Sequence, residues 1–133
     1  MFDITKNKII TVNRGDSFEF NVDINVGTPM NENKHTMLDA ERLYFALMEP
    51  NKSFEQAILV KWYDKTAQNE DGTVTIKFDP SDTENLHEGV YYYQIKLRAI
   101  VNNELGEDEV TTIIGKTKFI IFYKKRYYKE NIV

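Results

Sequence analysis

Few residues in this chain combine the type and the spacing that chemistry requires. Arg14-Gly15-Asp16 is the tripeptide used by integrin ligands, yet the same residues make a tight turn ahead of a strand, with Gly15 supplying positive φ. Glu104, Glu107, Asp108 and Glu109 gather around Gly106 and invite a calcium reading. The alternating D-x-D-x-D-G of a calcium loop is missing, so a solvated acidic hairpin tip is the plainer account. His35 lies in a polar loop with no second histidine near it in sequence and is expected to be solvated. Trp62 is expected to anchor a core or wall an edge, with a sugar-stacking platform as the functional alternative. Lys124, Lys125 and Arg126 run into Tyr127 and Tyr128. Such a basic aromatic stretch can dock on an acidic protein surface, stack on a nucleic acid, or fray and touch nothing.

Catalysis needs a nucleophile or a metal, a tuned base, and donors for the developing charge. The chain has no G-x-S-x-G elbow, no glycine-rich phosphate loop, no H-E-x-x-H and no cysteine. Without cysteine there is no disulfide scaffold and no thiolate zinc site. Paired carboxylates that meet only in three dimensions, as in glycosidases, leave no such signature. The expectation is a protein that is not an enzyme and carries neither cofactor nor metal.

At 133 residues the chain suits one domain, which buries roughly two thirds of its unfolded surface. Its 41% hydrophobic and 13% aromatic content supplies a core and argues against disorder. The net charge of −4 is uneven: the segment from Lys124 onward carries +3, which leaves −7 ahead of it. A mildly acidic body makes nucleic acid an unlikely partner, since a dedicated binder shows a basic face. No apolar run approaches the roughly 20 residues of a membrane helix, and the first residues do not form a signal peptide, so neither membrane insertion nor ordinary secretion is expected.

Period-2 alternation places the elements that hold these residues. Residues 9–12 read as a short first strand, and Phe18, Phe20, Val22 and Ile24 alternate with polar neighbours as a strand wet on one face. The connection across residues 26–42 is the longest, and residues 30–37 in it show no periodicity; such a stretch either carries binding residues or does nothing in particular, the second being the plainer reading. Leu43, Phe45 and Leu47 mark a strand covered on both sides, and residues 57–63 another. Edges left open near Ile9 or Ile58 offer a route to homo-oligomers. Near Gly115 and Lys116 the apolar parity of the last strand switches, the mark of a bulge or of a crossing between sheets.

The stretch that organises the rest is GTVTIKFDPSDTENLHEGVYYYQIKL, residues 72–97. Val74, Ile76 and Phe78 share a strand face until Asp79 and Pro80 stop the ladder. A helical turn near residues 80–86 follows, with Ser81 or Asp82 as its cap and Leu86 plugging the core, before Gly89 permits a bend into a strand led by Tyr91. Strand, helical turn and tyrosine-led return make the E-to-F corner of an immunoglobulin-like sandwich, where a tyrosine hydroxyl ties back to upstream backbone.

Gly72, Val74, Thr75, Ile76, Pro80, Asp82, Thr83, Leu86, Gly89, Tyr91, Tyr93 and Ile95 together resemble the signature of immunoglobulin-like domains in tailed-phage virion proteins. The pattern is similar to that of the N-terminal domain of baseplate upper proteins and of head-fibre and tail-associated proteins. R-G-D before a strand and a glycine ahead of a final F-I-I strand fit it as well. The resemblance implies an all-β, immunoglobulin-like β-sandwich of about seven strands over residues 1–123, followed by the basic tail at 124–133. Pro80, Asp82, Thr83, Leu86, Gly89 and Tyr91 would be its structural corner; Lys124, Lys125, Arg126, Tyr127 and Tyr128 are read as partner-binding from their charges and rings, not from the resemblance. It further implies a structural component of a virion, assembled in the bacterial cytoplasm, that acts as an adaptor or fibre-attachment protein on capsid or tail. Its partners would be other virion proteins and further copies of itself. The short segment after the domain favours a small bridging protein over a self-contained fibre. The alternative is a carbohydrate or host-receptor-binding module that uses residues 30–37, Trp62 and other exposed aromatics.

Overall fold

Leu43, Phe45 and Leu47 have no exposed surface, and the strand that carries them has a neighbour on each side. The computed structural model describes residues 2–26, 33–99 and 109–123. In chain order its strands are β1 (Phe2–Ile4), β2 (Ile10–Asn13), β3 (Phe18–Asp23), β4 (Asn25–Val26), β5 (Asn33–Lys34), β6 (Glu41–Met48), β7 (Leu59–Asp64), β8 (Thr73–Phe78), β9 (Gly89–Ala99) and β10 (Glu109–Phe122). One helical turn, α1 (Pro80–Thr83), separates β8 from β9.

The main sheet has six strands in the order β1-β2-β10-β9-β6-β7. All neighbours are antiparallel except β2 and β10, which run parallel, and the sheet curls into a half-barrel. Across its hollow lies a ribbon of β3 and β8. Their register opposes Phe18 to Phe78, Phe20 to Ile76 and Val22 to Val74, so both apolar faces coincide. The ring of Phe78 stacks on Phe18 at 4.5 Å and meets Phe45 of β6 at 5.3 Å and Phe119 of β10 at 5.6 Å. Each such ring, once buried, stabilises the fold by about 1.5–3 kcal/mol.

Side chains rather than a backbone ladder close the two seams between sheet and ribbon. On the β1 side Phe2 stacks on Phe18 at 4.9 Å. On the β7 side the Lys77 amide donates to the Tyr63 hydroxyl at 3.2 Å, and Lys61 pairs with Asp82 at 2.9 Å.

An all-β architecture is therefore present, but not as an even pair of sheets. Among the described residues the second layer has two strands, the chain leaving β7 through a turn at Lys65–Ala67 and returning into β8. β1 lies outside β2 and takes the edge expected near Ile9; three residues are too few to show a period. Trp62 is not a buried anchor, being 50% exposed. Pairing with β6 sets Leu59, Lys61 and Tyr63 opposite Leu47, Phe45 and Leu43, which sends the more apolar trio of Ile58, Val60 and Trp62 outward. The parity switch in β10 is a double irregularity, with register shifts between Thr112 and Ile114 and between Ile114 and Thr117.

Tyr93 reaches from β9 into the core, and its hydroxyl donates to the Lys8 carbonyl at 2.5 Å. Burial raises its pKa above the ordinary 10.0, so past that pH the unfolded chain sheds a proton that the native chain keeps. The resulting stabilisation is complete below pH 10.0 and is lost as pH climbs through the raised value. Tyr93→Phe is expected to lose about 1 kcal/mol at neutral pH, together with much of the alkaline decline. Urea titrations on both sides of that pH measure both effects.

Candidate functional site

The predicted corner is braced from several directions. Asp79, not Ser81 or Asp82, is the residue preceding the first helical turn, and its amide donates to Asp82 Oδ2 at 2.8 Å. Pro80 takes the first helical position, where its missing N–H costs nothing. Leu86 donates to the Thr83 carbonyl at 2.9 Å and packs partly buried against the core. Gly89 has φ of 148°, a conformation side chains rarely adopt. The Tyr91 hydroxyl donates to the His87 carbonyl at 2.8 Å, which is the backward tie expected of it. Burial raises the Tyr91 pKa, the Glu49 carboxylate adds to that, and the His87 bond opposes it.

Arg14-Gly15-Asp16 is packed onto this corner. The Gly15 amide donates to Thr83 Oγ1 at 2.9 Å, and Thr83 is fully buried. The Arg14 amide donates to the Phe122 carbonyl at 2.8 Å, and its guanidinium stands 4.6 Å above the Tyr123 ring and 3.4 Å from the Leu86 carbonyl. Gly15 has φ of 81°. The tripeptide thus works as a turn whose arginine is already engaged.

A second surface lies on the outward face of the main sheet. Register alone places Arg42 opposite Arg98, Tyr44 opposite Trp62 and Lys96, and Tyr92 opposite Lys118, all pointing away from the core. Cations stand over the rings here: Arg42 at 4.4 Å from Trp62, Lys96 at 4.5 Å from Phe54, Arg98 at 5.4 Å from Tyr44 and Lys116 at 5.5 Å from Tyr92. Asp64, in register with Arg42, is turned to its own loop. The Thr66 hydroxyl and amide, and then Arg42, hold it below the ordinary carboxylate range. Ala46 and Met48 also point outward but are buried, because the Phe54–Gln56 turn folds against that end of β6.

His35 is not simply solvated. Its Nε2 lies 2.7 Å from Oε1 of Glu41, a buried residue that also accepts from the Leu38 amide at 2.7 Å. Gln68 completes this support, accepting from the Met37 amide at 2.8 Å and donating to the carbonyls of His35 and Gly72 at 2.9 Å. Neither Glu41 nor Gln68 stood out in the sequence, where each is one polar residue among many. Within residues 30–37, residues 30–32 lie outside the described residues, while Met37 is a core side chain. Glu104, Glu107 and Asp108 also lie outside the described residues, as do Lys124, Lys125, Arg126, Tyr127 and Tyr128.

A cleft of about 320 Å³ opens between Lys8, β3 and the β10 irregularity, with Asn21, Asp23 and Asn25 beside Ile113 and Ile114. Among the described residues no three His, Asp or Glu side chains converge to hold a metal. No described helix is long and apolar enough to cross a membrane. Comparison with protein families, curated proteins and solved structures finds nothing that matches this chain.

The brace at the corner can be tested directly. Thr83→Ala is expected to destabilise by about 1–3 kcal/mol, since it strips the Gly15 amide of its acceptor in a partly buried place. Thr83→Ser, which retains the hydroxyl, is expected to recover most of that loss in urea unfolding.

Proposed function

We propose that this chain is an immunoglobulin-like domain that serves as a non-enzymatic structural component of a tailed-phage virion, an adaptor or fibre-attachment protein on capsid or tail. The strand order supports the fold half of this reading. β10-β9-β6-β7 corresponds to the G-F-C-C′ sheet of such domains, β2 to the strand that runs parallel beside G, and β3-β8 to B and E of a reduced second sheet.

One observation carries the reading. The two stretches that most resemble virion domains, 68 positions apart, meet as a single unit through the bond from Gly15 to Thr83. Their meeting supports reading the shared residues as one unit, a clamped sandwich end, over two coincidental motifs. A mechanical role suits it, because load on an attachment domain is borne by ladders, caps and buried hydroxyl bonds. Assembly in the bacterial cytoplasm, other virion proteins as partners, and self-association belong to the same proposal. For self-association β7 is the strand to consider, as an edge with Ile58, Val60 and Trp62 outward. Mass spectrometry of purified particles of the encoding phage is expected to find this chain in stoichiometric amount. Its absence from particles would overturn the proposal.

A second reading is favoured by the exposure of Trp62, a carbohydrate or host-receptor-binding module. Its test is a glycan panel against the native chain and Trp62→Ala, where a hit lost on substitution supports it and no hit removes it.

A further inference from the structure

Two strand edges border the cleft beside Lys8 with no strand between them. Among the described residues β3 has β8 as its one ladder neighbour, so along its other edge alternate N–H and C=O groups point away from the ribbon. Among the same residues β10 meets β2 only from Phe119 to Phe122, so ahead of Phe119 its side away from β9 has no ladder. Phe20, Asn21, Val22 and Asp23 all line the cleft, followed by Asn25. A strand that turned a face to a cavity would show it every second residue, so these consecutive residues mean that the cleft runs along the edge of β3. We propose that this cleft takes an extended segment of a partner protein, which adds to β3 as a further strand, apolar on its inner side and bearing lysine or arginine on its outer side.

The floor of the cleft decides the inner side of that segment. Phe20 and Val22 belong to the core, and Ile4, Ile113 and Ile114 pack partly buried against it. Ile113 is the residue left over by the register shift of β10 between Thr112, opposite Lys96, and Ile114, opposite Ile95, which is how two consecutive isoleucines come to line one cleft. From Phe20 to Asn25 the edge runs about 17 Å, room for about five residues whose alternate side chains repeat at about 6.6–6.8 Å, the spacing of Phe20 and Val22. A compact apolar ligand would cover the isoleucines but leave the edge groups of β3 without partners, whereas a strand meets both. Charge decides the outer side. Side chains of an added strand stand beside those of β3 on the same face, here Glu19, Asn21 and Asp23. Glu19 faces Lys77 across the ribbon, whereas Asp23 faces Thr73, whose amide and hydroxyl are bonded to Asp71. Asp23 makes no ion pair among the described residues, so a cation beside it adds an opposite-charge pair across strands. Lys8 belongs to the main-sheet wall, in the loop after β1 whose carbonyl the Tyr93 hydroxyl holds, and stands outside that row.

The test uses the full chain and a fluorescein-labelled peptide of alternating valine and lysine, read by anisotropy at about 0.15 M salt, where attraction between exposed charges alone is largely screened. Binding is expected, together with slowed hydrogen exchange at amides of β3. The peptide is also made with its valine amides N-methylated, and separately with its lysine amides N-methylated. At least one of these forms is expected to bind roughly tenfold or more weakly, because one set of amides faces β3. Asp23→Lys, at an exposed position, is expected to weaken binding roughly tenfold with an unaltered thermal melt, and Lys8→Gln is expected not to weaken it. No binding, equal binding by the parent peptide and both methylated forms, or equal binding of a peptide of alternating threonine and lysine would each overturn the proposal. So would a dimer of the chain alone that Asp23→Lys dissociates, which would give the cleft to a second copy. None of these outcomes depends on whether the chain is found in particles.

Discussion

A two-stranded ribbon cannot hold its own shape in water, so β3 and β8 exist as structure only because phenyl rings from the larger sheet grip them. Phe45 and Phe119 close on Phe78 from the sheet, Phe18 stacks on Phe78 within the ribbon, and Phe2 covers Phe18 from the far edge. The curl of the sheet follows from this grip. Six strands around a two-strand filler must bend toward it at both ends, and the seams then close through Phe2 on one side and Lys61 and Tyr63 on the other. Most side chains outward of that bend, Ala46 and Met48 excepted, are left free of core duty.

Freedom from core duty separates the two surfaces considered for function. At the corner almost every polar group is spent on neighbours: Thr83 on Gly15, Tyr91 on His87, Asp82 on the Asp79 amide and on Lys61. Such a place holds shape and has little left to offer a ligand. The outward sheet face differs in kind, with Arg42 standing over the Trp62 ring and Arg98 over Tyr44.

Much of this was legible in residue order. The alternation of Phe18, Phe20 and Val22 and of Val74, Ile76 and Phe78 announced both ribbon strands, and the D-P step announced the helical turn. The tie from Tyr91 and the switch near Gly115 were legible as well. Trp62 misled, because residues 58–62 alternate whichever side is taken as inner, and apolar content favours the wrong one. His35 misled for another reason: its partner Glu41 begins a different element, and polar pairs between elements leave no periodic trace.

Local order determined by itself which stretches are strands, where the ladder must stop, and which glycines must take conformations that side chains avoid. Those outcomes depend on neighbours one to four positions away, whose steric and hydrogen-bonding preferences are carried in the residues themselves. Only the tertiary structure decided which face of β7 turns inward, that Arg14-Gly15-Asp16 is clamped on Thr83, and that scattered cations share one face. Each of these depends on register between strands far apart in the chain, and register is chosen by the packing of the whole core rather than by either strand alone.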